Sequence, residues 1–354
     1  MKMRKTAGII TIWDLWNLGN RLQNYAVTYI AKENGLSPET LVLYESGKKD
    51  RYDLVKALVY NIIFFISKGK NIKSMVWLRA KKFRKFSNSN IPFRYVKSDE
   101  QDNYDYILIG SDQIWNAEVI EPTDFIYGNG LEVKKIICIA PSFGVTGFNS
   151  NVETKIAEYL KKIDYLNVRE YAGAKLIERI TKKKVPVFLD PTLIVPVMEW
   201  QKIEKKPHNI ANRKYILKYF LGEEAAECIH DTERLCIHYG YEVISLLDKN
   251  NPNAFIVGPS EFLYLIHNAE MILTDSFHAC VFSIHYKKPF WVYSRTGEHM
   301  NSRMNTLFEK LQIDNRFEHD MSKPFDIDYH DIDSKLADER KRFNEFFEKA
   351  ISGK

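Results

Sequence analysis

"ILTDSFHACVFSIHYKKPFWVY", residues 272–293, decides how the rest of the chain is read. An apolar run ends in Asp275, Ser276 and His278, passes at once into an apolar helix, and the run "PFWVY" (289–293) follows. Strand, polar turn, helix and strand, apolar on both strand faces, form the unit of a parallel sheet covered by helices. The turn poses the functional question. An Asp or Ser there caps the helix in any protein. A histidine beside it, at the carboxyl edge of a sheet, is also placed for acid–base work.

The same plan recurs outward in both directions. "AGIITI" (7–12) reads as a first strand, "NRLQNYAVTYIAKENG" as a helix with Leu22, Tyr25, Ala26, Tyr29 and Ile30 on one face, and "TLVLY" (40–44) as a second strand. "YDYILIG" (104–110), "KKIICIAPSFG" (134–144), "DYLNVRE" (164–170) and "VPVFLDPT" (185–192) are further β-rich runs ending in polar turns. "KYILKYF", "YEVISLL", "EMILTDS" and "PFWVY" repeat the pattern between helices. The expected fold class is α/β, with parallel sheets covered by helices. An N-terminal domain spans 1–192, a linker 193–213 and a C-terminal domain 214–330, and the amphipathic helix at 331–354 packs back across the domains. Two domains suit a chain of 354 residues.

Within the first domain, about 52–98 form a basic helical insertion. No acidic residue occurs between Leu54 and Lys97, and lysines and arginines there surround Phe64, Phe65 and Trp77. Such a segment suits either packing on its own domain or a peripheral contact at the inner face of a membrane. The longest apolar run, "ALVYNIIFFI" (57–66), is roughly half a membrane span. The start, interrupted by Asp14, reads as a strand and not a signal peptide. A net charge of +5 is too mild for nucleic acid but suits an anionic small substrate. Cys138, Cys228, Cys236 and Cys280 lack any C-x-x-C or zinc spacing, so a reduced, cytoplasmic protein without a bound metal is expected. The absence of G-x-G-x-x-G and of a P-loop argues against dinucleotide and NTP chemistry.

The polar clusters fall almost entirely at strand ends, where open α/β sheets bind ligands. After the first strand come Asn17, Gly19, Asn20, Arg21 and Gln23; after the run at 104–110 come Ser111, Asp112, Gln113, Trp115 and Asn116. Ser142 and Arg169 follow the next two runs, and Asp275 and Ser276 precede His278. Asp190-Pro191 reads equally well as an ordinary strand-ending turn. His278 would sit in the first turn of its helix, whose positive end favours neutral imidazole until an anion binds.

Taken in order, "GIITIWDLWNLGNRLQNYAV", "YILIGSDQIWN", "APSFG", "VRE", "FLDPT", "TDSFHACVFSIHYKKPF" and "NSRM" (301–304) resemble the polysaccharide pyruvyl transferase family, over about residues 7–316. The resemblance implies two Rossmann-like domains facing across a cleft, a GT-B-like arrangement. It also implies transfer of a pyruvyl group from phosphoenolpyruvate to a sugar of a surface polysaccharide or its lipid-linked precursor, forming a pyruvate ketal. His278 carries over as the family's histidine. Some members hold an arginine two residues earlier, where this chain has Ser276. Arg303 and Arg295 are the nearest replacements, with Arg169 and Arg21 available from the facing domain.

The catalytic candidates are therefore His278, Arg303 and Asp112. His278 would move protons, and Arg303 and Arg295 would clamp carboxylate and phosphate. Asp112, Gln113 and Asn116 would orient sugar hydroxyls with Trp115 as platform, and Ser302 lies beside Arg303. No cofactor is required. Two other readings keep the fold: a GT-B glycosyltransferase with a nucleotide-sugar donor, for which Glu261 could bind a ribose, and a non-enzymatic glycan-binding protein.

Overall fold

The computed structural model describes residues 4–14, 16–44, 72–97, 103–208, 213–295 and 301–352. Its N-terminal unit contains β1 (Thr6–Ile10), α1 (Leu18–Glu33), β2 (Ser37–Leu43), α2 (Ile72–Asn90), β3 (Phe93–Val96), β4 (Asn103–Ile109), β5 (Glu132–Cys138), α3 (Ser150–Leu160) and α4 (Tyr171–Thr181). The short helices α5 (Pro191–Ile194) and α6 (Val197–Ile203) lead into the C-terminal unit. That unit contains β6 (Tyr215–Tyr219), α7 (Ala226–Tyr239), β7 (Glu242–Leu246), α8 (Pro252–Phe255), α9 (Pro259–Asn268), β8 (Met271–Thr274), α10 (Phe277–His285), β9 (Phe290–Val292), α11 (Ser302–Leu311) and α12 (Ile332–Ser352).

The fold is α/β, with two parallel sheets flanked by helices. The first sheet has the order β3-β2-β1-β4-β5, the second β7-β6-β8-β9. Every strand pair is parallel, with Ile9 facing Leu108 in one sheet and Leu217 facing Ile272 in the other. Parallel bridges between Ile137 and Tyr165 and between Val168 and Val187 carry the first sheet's edge onward past β5. In each sheet the strand order reverses once, between β1 and β4 and between β6 and β8. The turns leaving those four strands are where such sheets bind ligands.

Helix α1 joins the units. Leu18, Leu22, Ala26 and Val27 on it are fully buried, and one apolar core runs from Ala7 and Ile9 through α1 to Leu217, Phe262 and Phe282. Asn17 caps its start by accepting from Asn20 N at 3.2 Å. Shared burial of this kind holds the two sheets in register more firmly than any surface contact.

Two expectations change. The stretch 193–213 is not a bare linker: it includes α6, whose Trp200 is fully buried, donates Nε1–H to Thr192 O at 3.2 Å and packs edge-on against Phe282. An isolated sequence of prolines and charges hides this, because the tryptophan finds its partners on distant helices. The described part of the insertion at 52–98 packs on the protein's own body, as one of its two readings had it, but it is not helical alone. Phe64 and Phe65 lie outside the described residues, but α2 and β3 belong to the body of the protein. β3 is the sheet's edge strand, and α2 buries Ala80, Phe83 and Phe86. Its buried Arg79 donates to Phe255 O at 2.8 Å and Val257 O at 3.0 Å in the C-terminal unit, and to Trp16 O at 2.8 Å. Lys82 beside it pairs with Glu261 at 2.6 Å. Among the described residues no helix is long and apolar enough to cross a membrane.

Helix α12 returns across the molecule. Lys310 of α11 pairs with Glu339 at 2.8 Å, Arg340 donates to Leu193 O at 3.0 Å, and Tyr106 of β4 donates to Ile351 O at 2.6 Å.

His285 ties α10 to α5. Its Nε2–H donates to Thr192 O at 2.7 Å in a buried setting, and burial pulls its pKa down to about 4. The unfolded chain would bind that proton from about pH 6.5 downward, the native state only near pH 4, so the contribution is present above pH 6.5 and lost between those values. His285→Gln keeps a donor and removes the titration. Between pH 7 and pH 4 the wild type should lose on the order of 3 kcal/mol more stability than this variant, read from paired melting curves.

Candidate active site

The turns at the two reversal points bring together residues far apart in sequence. β4 delivers Ser111 and Asp112, the bridge at Val168 delivers Arg169 and Glu170, and the bridge at Val187 leads to Asp190. From the other unit, β8 delivers the turn whose Ser276 is the N-cap residue of α10, so Phe277 and His278 form its first turn. α11 adds Arg303. All of these side chains are buried.

Asp190 is the hub. Its Oδ1 caps α5, accepting from Thr192 N at 2.9 Å and Thr192 Oγ1 at 2.6 Å. Its Oδ2 accepts from Ser111 Oγ at 2.7 Å and Arg169 Nη1 at 2.5 Å, and lies 3.8 Å from His278 Nε2. Burial alone would raise this carboxyl, but Arg169 and the Thr192 bonds overcome that and hold it below the usual carboxylate range. Arg169 also approaches Asp112 at 3.7 Å and Glu170 at 4.0 Å. Desolvation works against its charge, and the three carboxylates outweigh desolvation, raising its pKa. The Arg169 guanidinium lies 4.4 Å from the centre of the Phe277 ring, with Arg303 at 5.8 Å from the same ring.

His278 sits inside this ring of charge. Burial is the main reason its pKa falls below the ordinary value; Asp190 and Asp112 oppose the fall, while Arg169 and Arg303 add to it. The imidazole is therefore neutral at pH 7. Among the described residues its Nε2 has no hydrogen-bond partner, and 3.8 Å to Asp190 is too long to count as one. Burial and the neighbouring Arg169 lower Arg303 to about 10, which leaves it charged near neutrality. Asp112 is pushed up by desolvation but ends below its usual value; with the imidazole neutral, Arg169 and Arg303 are what hold it ionised. Its backbone is left-handed, φ 66°, and Asn20 Nδ2 donates to its Oδ2 at 3.2 Å.

Gly19 explains how the units close so tightly. A Cβ added there would lie 2.2 Å from His278 Nδ1, so only glycine lets α1 pass beneath the imidazole.

The remaining candidates divide. Ser111, Asn20 and Gly19 join the cluster directly, and Ser142 supports it by donating its N–H to Asp112 O at 2.9 Å. Gln113 packs against Gly144, where a Cβ would lie 2.0 Å from its Nε2. Trp115 is no platform: it is 1% exposed and stacked on Tyr127 at 5.3 Å. Asn116 serves its own turn, accepting from Glu118 N at 3.0 Å. Gln23 accepts from Thr11 Oγ1 at 2.8 Å, and Arg21 is spent on Asp14 O and the Trp13 ring. Asp275 accepts from Leu221 N and Gly222 N, both at 2.8 Å, and from Arg295 Nε at 2.5 Å, so Arg295 is bound to a carboxylate and is not an open anion clamp. Ser276 provides its backbone at the helix start, donating N–H to Thr274 Oγ1 at 2.9 Å, and Ser302 O accepts from Thr306 Oγ1 at 3.0 Å. Glu261 is consumed by Lys82 and by Gly258 N at 2.8 Å, which removes the carboxylate suggested for a ribose.

Three participants were not among the candidates. Asp190 reads from sequence as a turn, and its cap is real, but its second oxygen organises the site. Glu170, fully buried, accepts from Phe143 N at 2.9 Å. Phe277 lies against two guanidiniums. The quoted "VRE", "LDPT" and "TDSFH" held all three, without a signal for which side chain turned inward.

The family model for polysaccharide pyruvyl transferase matches residues 17–297. No curated protein matches the chain in sequence. Similar solved structures include a functionally uncharacterized protein of Klebsiella pneumoniae, 12% identical over 87% of this chain and 90% of that one, TM-score 0.48. The UDP-GlcNAc 2-epimerase of Neisseria meningitidis is 11% identical over 98% and 100%, TM-score 0.46. That of Methanocaldococcus jannaschii is 14% identical over 95% and 92%, TM-score 0.48. Likenesses this distant assign no activity.

Gly19→Ala tests the close approach. The added methyl would meet His278 Nδ1 at 2.2 Å and its Cβ at 2.5 Å, so both the imidazole and the helix must shift, and the melting temperature should fall as well. Turnover should fall by about 100-fold, the usual cost of an ångström of misplacement. Unchanged turnover would remove His278 from the chemistry.

Proposed function

The chain belongs to the polysaccharide pyruvyl transferase family, and from that premise we propose that it transfers a pyruvyl unit from phosphoenolpyruvate to two hydroxyls of a glycan sugar, forming a ketal. The observation that carries this reading is the buried, neutral, unpartnered Nε2 of His278 among two carboxylates and two guanidiniums.

The reaction needs a proton delivered to the methylene carbon of the enol, which makes an oxocarbenium-like centre at the adjacent carbon. One sugar hydroxyl attacks that centre and loses its proton. The carbon–oxygen bond to phosphate breaks, and the second hydroxyl closes the ketal as its proton leaves with phosphate. No electrons are exchanged, so no redox partner is needed. His278 is suited to both proton movements: burial keeps it neutral until an anion arrives, and the anion's charge then raises its proton affinity. Arg303, buried beside His278 and still charged near neutrality, would receive carboxylate or phosphate. Asp112, held ionised, would accept from a sugar hydroxyl. The acceptor is a surface polysaccharide or its lipid-linked precursor, and the enzyme works in the cytoplasm, where phosphoenolpyruvate is made.

Phosphoenolpyruvate should raise the melting temperature of the wild type by several degrees, as any ligand specific to the folded state does. Nucleotide-sugars should not, and Arg303→Ala should abolish the shift. With glycan acceptor, phosphate release should fall by about 100- to 10,000-fold in His278→Gln. A shift confined to nucleotide-sugars would sink the proposal in favour of a glycosyltransferase.

A further inference from the structure

The C-terminal unit carries a second convergence of ligating atoms that uses none of the residues above. Glu227 and Asp231 stand one turn apart on α7, and His319 follows α11; one atom from each lies within 4.8 Å of the others. The imidazole's protonation pattern can be read from its surroundings. Nε2 is 3.0 Å from Val292 O, and a carbonyl only accepts, so this nitrogen carries hydrogen. Nδ1 then faces Asp231 Oδ2 at 3.2 Å and Glu227 Oε1 at 3.6 Å. The His319 side chain is 5% exposed. With hydrogen on Nε2, that buried nitrogen faces both carboxylates, of which Asp231 also accepts from Tyr293 OH at 2.9 Å.

A cation among the three atoms would serve all of them, and the separations of 3.2 and 3.6 Å from Nδ1 suit one. A tetrahedral zinc site with bonds of about 2.0–2.1 Å places neighbouring ligand atoms about 3.3 Å apart. The outer contacts fit too. Val292 O orients the ring, Tyr293 OH donates to Asp231 Oδ2 at 2.9 Å, and the Trp291 ring stacks on the imidazole at 4.8 Å. Glu227 is 69% exposed on its side chain, which leaves the remaining position open to water.

We propose that Glu227, Asp231 and His319 bind one divalent first-row metal ion of the zinc class, clipping α7 to the exit of β9 and to the segment after α11. One nitrogen with two carboxylate oxygens favours zinc over magnesium or calcium, which prefer all-oxygen sets. The role is structural, since no group of the proposed reaction takes part.

Full-length protein stripped with a chelator and then titrated with Zn²⁺ in millimolar Mg²⁺ should bind one equivalent and melt several degrees higher. Co²⁺ should give the intense visible bands of a four-coordinate site. Glu227→Gln, an exposed change that leaves the metal-free melting temperature unaltered, should weaken binding at least tenfold. Asp231→Asn should abolish it. No stoichiometric uptake, or uptake equal in wild type and Glu227→Gln, overturns the proposal and leaves His319 as a hydrogen-bond partner of Asp231.

Discussion

The ionised carboxylate of Asp190, cut off from water, is the constraint on which the centre of this molecule depends. A charge there is tolerable only where every lone pair is answered. Thr192 answers one oxygen; Ser111 and Arg169 answer the other. Those partners come from three separate strand ends, so the carboxylate cannot be satisfied until the first sheet is complete. The same oxygen then faces His278 from the other sheet at 3.8 Å, a gap that leaves the imidazole attracted but unclaimed. Fold completion and site assembly are thus one event.

Around that hub the charges nearly balance. Arg169 and Arg303 stand against Asp112, Asp190 and Glu170, with a neutral histidine between. An incoming dianion would tip the balance and draw a proton onto the histidine. A hydroxyl alone would not. In the proposed reaction, such a centre would distinguish an anionic donor from a neutral acceptor by charge. The shared apolar core beneath α1 supplies the rigidity this requires, and Gly19 supplies the clearance.

Much of this architecture is legible in the chain. The alternation of apolar runs and helices gives the α/β class, because both faces of parallel strands are buried and the pattern is local. The strand ends of the site are legible for the same reason. Which side chains point into it is not. Trp115 and Asn116 belong to the same turn as Asp112, yet one fills the core and the other closes the turn. Arg295 looks like a free cation until Asp275, twenty residues earlier in sequence and across a turn, engages it. Long-range pairing decides these roles, and no periodicity records it. The contacts of Trp200 and of α2 escaped for a related reason: their partners lie far along the chain.

That last point bears on how a substrate gets in. Residues of the site are almost wholly enclosed, so the two sheets must part for entry. Arg79 fastens them from one side, through carbonyls of both units. Even one such charge-assisted bond, at about 1.5–3 kcal/mol, would keep the parted form below roughly a tenth of molecules. Helix α2 thus acts as a latch that holds the two units together beside the site.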